Sequence, residues 1–213
     1  MYLPSHFAEA RNEVLHGLIL NSPLATLVTC SQRGVEADLI PLLLRPELGE
    51  FGELHGHVAR ANPLWRSHSA DVDVLAVFQG PQAYVSPNWY PTKREHGKAV
   101  PTWNYITVQA RGHLHIVDDE LWKRGLLDSL TAIHESTQPI PWKISEAPPD
   151  YIEKMLNAIV GIRLVITELT GKWKVSQNQP AANRAGVIEA LSSMATDNLR
   201  DMAKAIATFA PEE

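Results

Sequence analysis

Between Phe78 and Tyr105 the chain runs FQGPQAYVSPNWYPTKREHGKAVPTWNY, with four prolines, two tryptophans and three tyrosines in 28 positions. Almost no helical or strand period is visible there. A long loop of this kind inside a compact domain is usually functional or disordered, and its wealth of aromatics argues against disorder. Proline fixes its own φ and restrains the residue before it, so Pro87, Pro91 and Pro101 hold Trp89, Tyr90 and Trp103 in place. Flat rings at fixed positions suit a flat ligand. They would equally suit a loop that covers a sheet edge or seals a subunit interface.

The flanking sequence reads as short strands and amphipathic helices. Val14, Leu15, Leu18 and Ile19 form an apolar stripe in a helical segment over 5–21. Leu24–Ser31 and Val35–Leu44 are β-rich runs around Gln32-Arg33-Gly34, a hairpin, and Glu53–Val58 is the third strand. A short helix is expected over Ala59–Ser69. Asp73–Gly80 and Gln82–Ser86 read as two strands meeting at a Gly80-Pro81 bend. Val108–Ile116 alternates cleanly between apolar and polar faces. Helical patterns fill 118–159, broken by a proline-containing linker over 136–149. Ile162–Glu168 and Lys172–Gln177 read as a strand pair about Thr170-Gly171. Two helices close the chain over 181–209, the second capped by Asp197. About eight strands, mostly antiparallel, imply a mainly β fold with helices: a closed barrel, or a single-layer sheet with helices on one face.

The chain has 213 residues, enough for a single domain with a helical appendage. One cysteine, Cys30, rules out an intrachain disulfide. The N-terminus lacks the pattern of a signal peptide, and no apolar run approaches a membrane-spanning length, so a cytoplasmic protein without a membrane partner is expected. The net charge of −5 is poor matter for neutralising phosphates of a nucleic acid.

Four groups could carry chemistry. Arg60 stands where a strand hands over to a helix expected to start near Ala61, a suitable place for a phosphate, although a solvent-facing arginine beside an Asn-Pro turn reads as well. His55/His57 and His113/His115 share strand faces but lack a third ligand at metal-binding spacing, so no metal site is expected. In the loop, Lys93 and Arg94 read as a solvated tip, whereas Lys98, before Thr102-Trp103-Asn104-Tyr105, is the basic residue expected to be buried against a ligand. Trp173–Asn178 places donors between a strand and a helix, as capping residues or as ligand contacts. There is no nucleophile–base pair, no dinucleotide fingerprint and no Walker sequence; any reaction would be a cofactor's.

HGHVARANP, FQGPQAYVSPNWYP, GKAVPTWNY and KVSQN, in this order, resemble the PaiB-type FMN-binding negative transcriptional regulators over nearly the whole length. The resemblance implies one FMN-binding split-barrel domain over 1–213. It would be an antiparallel, pyridoxamine-phosphate-oxidase-like α+β fold with C-terminal helices, and a homodimer with FMN at the interface. Residue by residue, it places Ala59, Arg60 and Asn62 at the flavin phosphate and the ring against Ile40–Leu43, with Ile40 and Leu42 in contact. It sets Lys98, Thr102, Trp103 and Asn104 close to the ligand from the partner subunit, and Ser176 and Gln177 closing the site. Related barrels often carry Ser-Arg-Lys where this chain has Ala59-Arg60-Ala61; without that hydroxyl and amine, a weaker hold on FMN is expected.

The function implied is an FMN-binding regulator acting through a ligand or partner. Direct DNA reading is disfavoured: from Ala181 to Glu213, Arg184, Arg200 and Lys204 face Glu189, Asp197, Asp201, Glu212 and Glu213. The alternatives are an FMN-dependent oxidoreductase or a haem-binding or haem-degrading split-barrel protein.

Overall fold

The computed structural model describes residues 1–69 and 71–209; Glu212 and Glu213 of the acidic C-terminal count lie outside the described residues. Eight strands occur in it: β1 (Ala8–Glu9), β2 (Leu24–Ser31), β3 (Gly34–Pro41), β4 (Leu43–Arg45), β5 (Glu53–Ala59), β6 (Val74–Val85), β7 (Thr102–Val117) and β8 (Ile159–Lys174). The helices are α1 (Asn12–Asn21), α2 (Leu64–Ser67), α3 (Lys93–His96), α4 (Glu120–Glu135), α5 (Pro149–Asn157), α6 (Ala181–Ser192) and α7 (Asp197–Thr208). One sheet runs β3-β2-β6-β7-β8-β5-β4, with β1 paired to β8. Its two end strands, β3 and β4, are consecutive in the chain with only Leu42 between them. The sheet therefore turns back on itself, as a split antiparallel barrel with C-terminal helices requires.

The expected single strand over 35–44 is thus two. Leu42 donates its backbone N–H to the Pro23 carbonyl at 2.9 Å, leaving the β2 ladder, and β4 pairs instead with β5 (Leu43 opposite His55, Arg45 opposite Glu53). In two other places the expected breaks are absent, and β6 and β8 run straight through. Gly171 sits under packing rather than in a turn: a Cβ there would come within 2.2 Å of Leu15 Cδ2 and 2.9 Å of the Glu9 carbonyl. Gly80 similarly lets Leu18 and Ile106 approach.

At the N-terminus, residues 5–11 are not part of the α-helix. Ser5–Phe7 make a 3-10 turn and β1 pairs with β8, Ala8 opposite Lys172, so α1 begins only where the apolar stripe does. α2 is one turn, not a helix from Ala61, because Pro63 sets its start and the Asn62 side chain accepts from the Leu64 N–H at 2.8 Å. Only 86–101 of the proline-rich stretch is free of strand; Thr102–Tyr105 already alternates, with Asn104 buried. Thr196, not Asp197, occupies the position before α7, while Asp197 pairs with Arg200 in its first turn.

The chain divides into two compact units. The first comprises Met1–Leu18, Gln79–Val108 and the described part of Thr170–Glu213; its core includes Leu15, Val85, Ile106, Trp173, Leu191, Met202 and Ile206. The second comprises Ile19–Phe78 and Gln109–Leu169, with Leu27, Leu42, Leu54, Phe78, Ile162 and Leu164 at its centre. In the second unit, strands β2 and β3 match Leu24 to Pro41, Thr26 to Leu39, Val28 to Ala37 and Cys30 to Val35 on one face. That face is apolar apart from Thr26, and it is open: Val35, Leu39 and Leu24 are 76%, 69% and 58% exposed. No helix among the described residues is long and apolar enough to cross a membrane.

Candidate functional site

The expected site residues fall into two groups, one in each unit. In the second unit, Ile40 and Leu42 are buried beside Gly56, whose missing Cβ would otherwise meet Leu42 Cδ2 at 2.7 Å. Ala59 ends β5, and Arg60 follows it. The Arg60 guanidinium donates to both oxygens of Asp118, at 2.8 and 2.7 Å, to the Asn157 carbonyl at 2.6 Å and to the Ile159 carbonyl at 3.0 Å. Lys123, buried on α4, donates to the same carboxylate at 2.8 Å and to the Leu156 carbonyl at 3.0 Å. Two cations thus share one anion. Asn62 donates to Asp38 Oδ1 at 2.9 Å while capping α2.

Lys123 and Asp118 were not picked out from the sequence. Asp118, Asp119 and Glu120 resemble ordinary acids at a helix start, and Asp119 does cap α4 by accepting from the Trp122 N–H at 2.8 Å. Only the return of α5 and β8 brings the lysine to Asp118. Arg60's hydrogen bonds first, then Lys123's, hold the Asp118 carboxyl well below the usual carboxylate range. A carboxyl whose pKa is depressed by folding stabilises the fold above its unfolded value and loses that contribution as pH falls below it. Asp118→Asn is therefore expected to melt earlier than wild type at neutral pH, by about 1 kcal/mol because Asp118 is 42% exposed and water screens the pair. The gap should narrow steadily as pH falls below about 4; thermal melts of both proteins from neutral to acid pH check it, and a gap that stays constant contradicts the assignment.

In the first unit, Lys98, Thr102, Asn104 and Ser176 surround a cavity of about 250 Å³ that also meets Tyr90, Lys174 and Asn183. Lys98 is exposed in this chain, at the rim rather than buried. Asn104, buried, donates to the Ser176 hydroxyl at 2.8 Å. Ser176 has φ of 63°, the one non-glycine residue in the left-handed region among those described; such backbone is sustained only where the surroundings enforce it. Lys174 donates to the Thr102 hydroxyl at 2.6 Å and to the Trp103 carbonyl, and burial pushes its pKa below that of an ordinary lysine. Burial likewise raises the Tyr90 phenol.

Two expected residues stand apart from that cavity. The Trp103 ring is 54% exposed and meets Tyr84 edge-on, with centroids 6.0 Å apart. Gln177 folds back on its own loop, donating to the Trp173 carbonyl and accepting from the Val175 N–H. His55, buried, is hydrogen-bonded to Glu53 at 2.9 Å.

Comparison with known proteins gives a consistent picture. Residues 1–168 match the model of the family described as "Putative FMN-binding domain". The chain is 32% identical over 209 residues to protease synthase and sporulation protein PAI 2 of Bacillus subtilis, covering 96% of this chain and 95% of that one. It is 33% identical over 234 residues to an uncharacterised protein of Emericella nidulans, covering 92% of each. Among solved structures, the FAD and haem binding protein of Mycobacterium smegmatis shares the fold, with a TM-score of 0.57 and 18% identity over 78% of this chain and 73% of that one.

Proposed function

We propose, from the premise that the chain belongs to the FMN-binding domain family, that it is a flavin-binding regulator acting through a ligand or a partner protein. The observation that carries this reading is the convergence of Arg60 and Lys123 on one partly exposed carboxylate. The group keeps a net positive charge, and the Asn157 and Ile159 carbonyls fix the guanidinium fork. A phosphate monoester suits that donor set, since an exposed Arg–Asp pair is worth little and exchanges readily. The amine missing at position 61 would be supplied from α4 by Lys123. Ala59 and Asn62 would flank the phosphate, and the strand edge at Ile40 and Leu42, whose side chains are buried, would run beside the ring. Lys98, Thr102, Trp103, Asn104, Ser176 and Gln177 would approach the ligand from a second copy of the chain. FMN, when bound, supplies reversible electron transfer; the chain's own part is to bind and orient it.

The open face of β2 and β3 supports a homodimer with FMN at its interface, because apolar sheet faces of this kind seldom stay in water. The regulatory half of the reading leans on similarity to the Bacillus protein, whose name ties it to protease synthesis and sporulation. The C-terminal helices do not favour direct DNA contact. Arg200 pairs with Asp197, Lys204 with Asp201, and Arg184 donates to the Gln179 carbonyl. Few cations are left for phosphates.

FMN and riboflavin differ by the phosphate alone, so their affinity ratio reads this site directly. Wild type is expected to prefer FMN, and Arg60→Met to shrink that preference by roughly 10- to 100-fold with little change for riboflavin. Fluorescence titration measures both. Equal binding of the two flavins by wild type, or a ratio unmoved by the substitution, refutes the reading.

A further inference from the structure

We infer that the cavity above Lys174 is a site for a small oxyanion, a carboxylate or phosphate compact enough to enter it, bound separately from the flavin. Its volume of about 250 Å³ lies below the roughly 300–1,000 Å³ of pockets that enclose drug-sized molecules. It would not enclose a three-ring flavin, whereas a short acid fits within it.

The lining is mixed, with Tyr90, Ala99 and Val100 giving apolar surface beside a set of donors. Lys98 and Lys174 bring ammonium groups, Asn104 and Asn183 amides, Thr102 and Ser176 hydroxyls, and among the described residues no carboxylate lines the space. The same protein shows how a lysine withdrawn from water is ordinarily served, for Lys123 rests on Asp118. Among the described residues, Lys174 meets the Thr102 hydroxyl, the Trp103 carbonyl and the face of the Tyr105 ring, and no carboxylate pairs with it. Two residues back on the same face of β8, buried Lys172 adds a second positive charge, its ammonium donating to the Tyr2 carbonyl at 3.0 Å. Lys172 does not line the cavity, but its charge adds to that of Lys98 and Lys174, which do, and such a field draws in an anion. Ser176 completes the case: its left-handed backbone and its bond from Asn104 fix the hydroxyl at the cavity wall. Lys98, Thr102, Asn104 and Ser176 also figure in the flavin reading, on which this inference rests in part, whereas Lys174 does not, so substitution at Lys174 distinguishes the two sites.

Calorimetric titration of the FMN-saturated protein with malonate and with inorganic phosphate tests this. Saturable binding of at least one is expected. Lys174→Met should weaken it by roughly 10- to 100-fold, Lys174→Arg should retain most of it, and FMN affinity should stay within roughly twofold in both. FMN binding also reports that each variant is folded. If FMN and anion affinities fall together in Lys174→Met, the cavity belongs to the flavin and the inference is wrong. It is equally wrong if neither anion binds wild type, or if Lys174→Met binds them unchanged. Should wild type bind no FMN, the flavin reading alone is lost; malonate titrated into the unliganded protein then decides the anion site by the same criteria.

Discussion

Gly112→Ala is expected to lower the melting temperature on the order of 10 °C or to prevent folding altogether. Gly112 lies on the buried face of β7, where a Cβ would stand 1.9 Å from the Val165 carbonyl oxygen and 2.8 Å from its carbon. Both obstacles are main chain, so no rotamer change relieves them. Either β7 or β8 must shift, and the paired neighbours shift with it. Overpacking of a core usually costs about 1–3 kcal/mol and more when backbone must move, against a total stability of about 5–15 kcal/mol. Denaturation followed by circular dichroism gives the answer. An alanine variant that melts within about 2 °C of wild type would mean that β7 and β8 do not approach as described.

Leu39→Glu is expected to turn the proposed dimer into a monomer that melts like an isolated wild-type subunit. Leu39 projects from the middle of the open β2–β3 face, so the substitution disturbs no core. In a two-fold interface the change appears twice, and each carboxylate must be stripped of water against an apolar surface. Self-association should weaken on the order of 100-fold or more. Sedimentation of wild type and variant at matched concentrations measures this directly. A wild type that is already monomeric, or a variant that still dimerises, removes the proposed interface. If the variant is monomeric but binds FMN as before, the dimer stands and the flavin does not lie between the subunits.

The β2–β3 hairpin was readable because β-branched runs flank Gln32-Arg33-Gly34, and Gly34 does take a positive φ of 106°. The breaks read into β6 and β8 were not there. Glycine relaxes the backbone in a turn and also makes room in a sheet, and nothing local to Gly171 announces that Leu15 will lie over it. The same divide runs through the candidate sites. Lys98, Thr102, Asn104 and Ser176 could be named from motifs and lie round one cavity. Lys123 could not, since on an amphipathic helix it resembles any solvated lysine until α5 and β8 close over it. Lys174 was within reach: Lys172 and Lys174 alternate with Trp173 and Val175 along a strand, which puts two cations on one face without an acid.

β1 pairs with β8 across more than three quarters of the sequence, and the unit containing Met1–Leu18 also needs Thr170–Glu213. During synthesis, the opening residues therefore leave the ribosome well before their partners exist. No fragment that lacks β8 can close this sheet, and the strands awaiting it stay open to chaperones, or to one another, until β8 has been made.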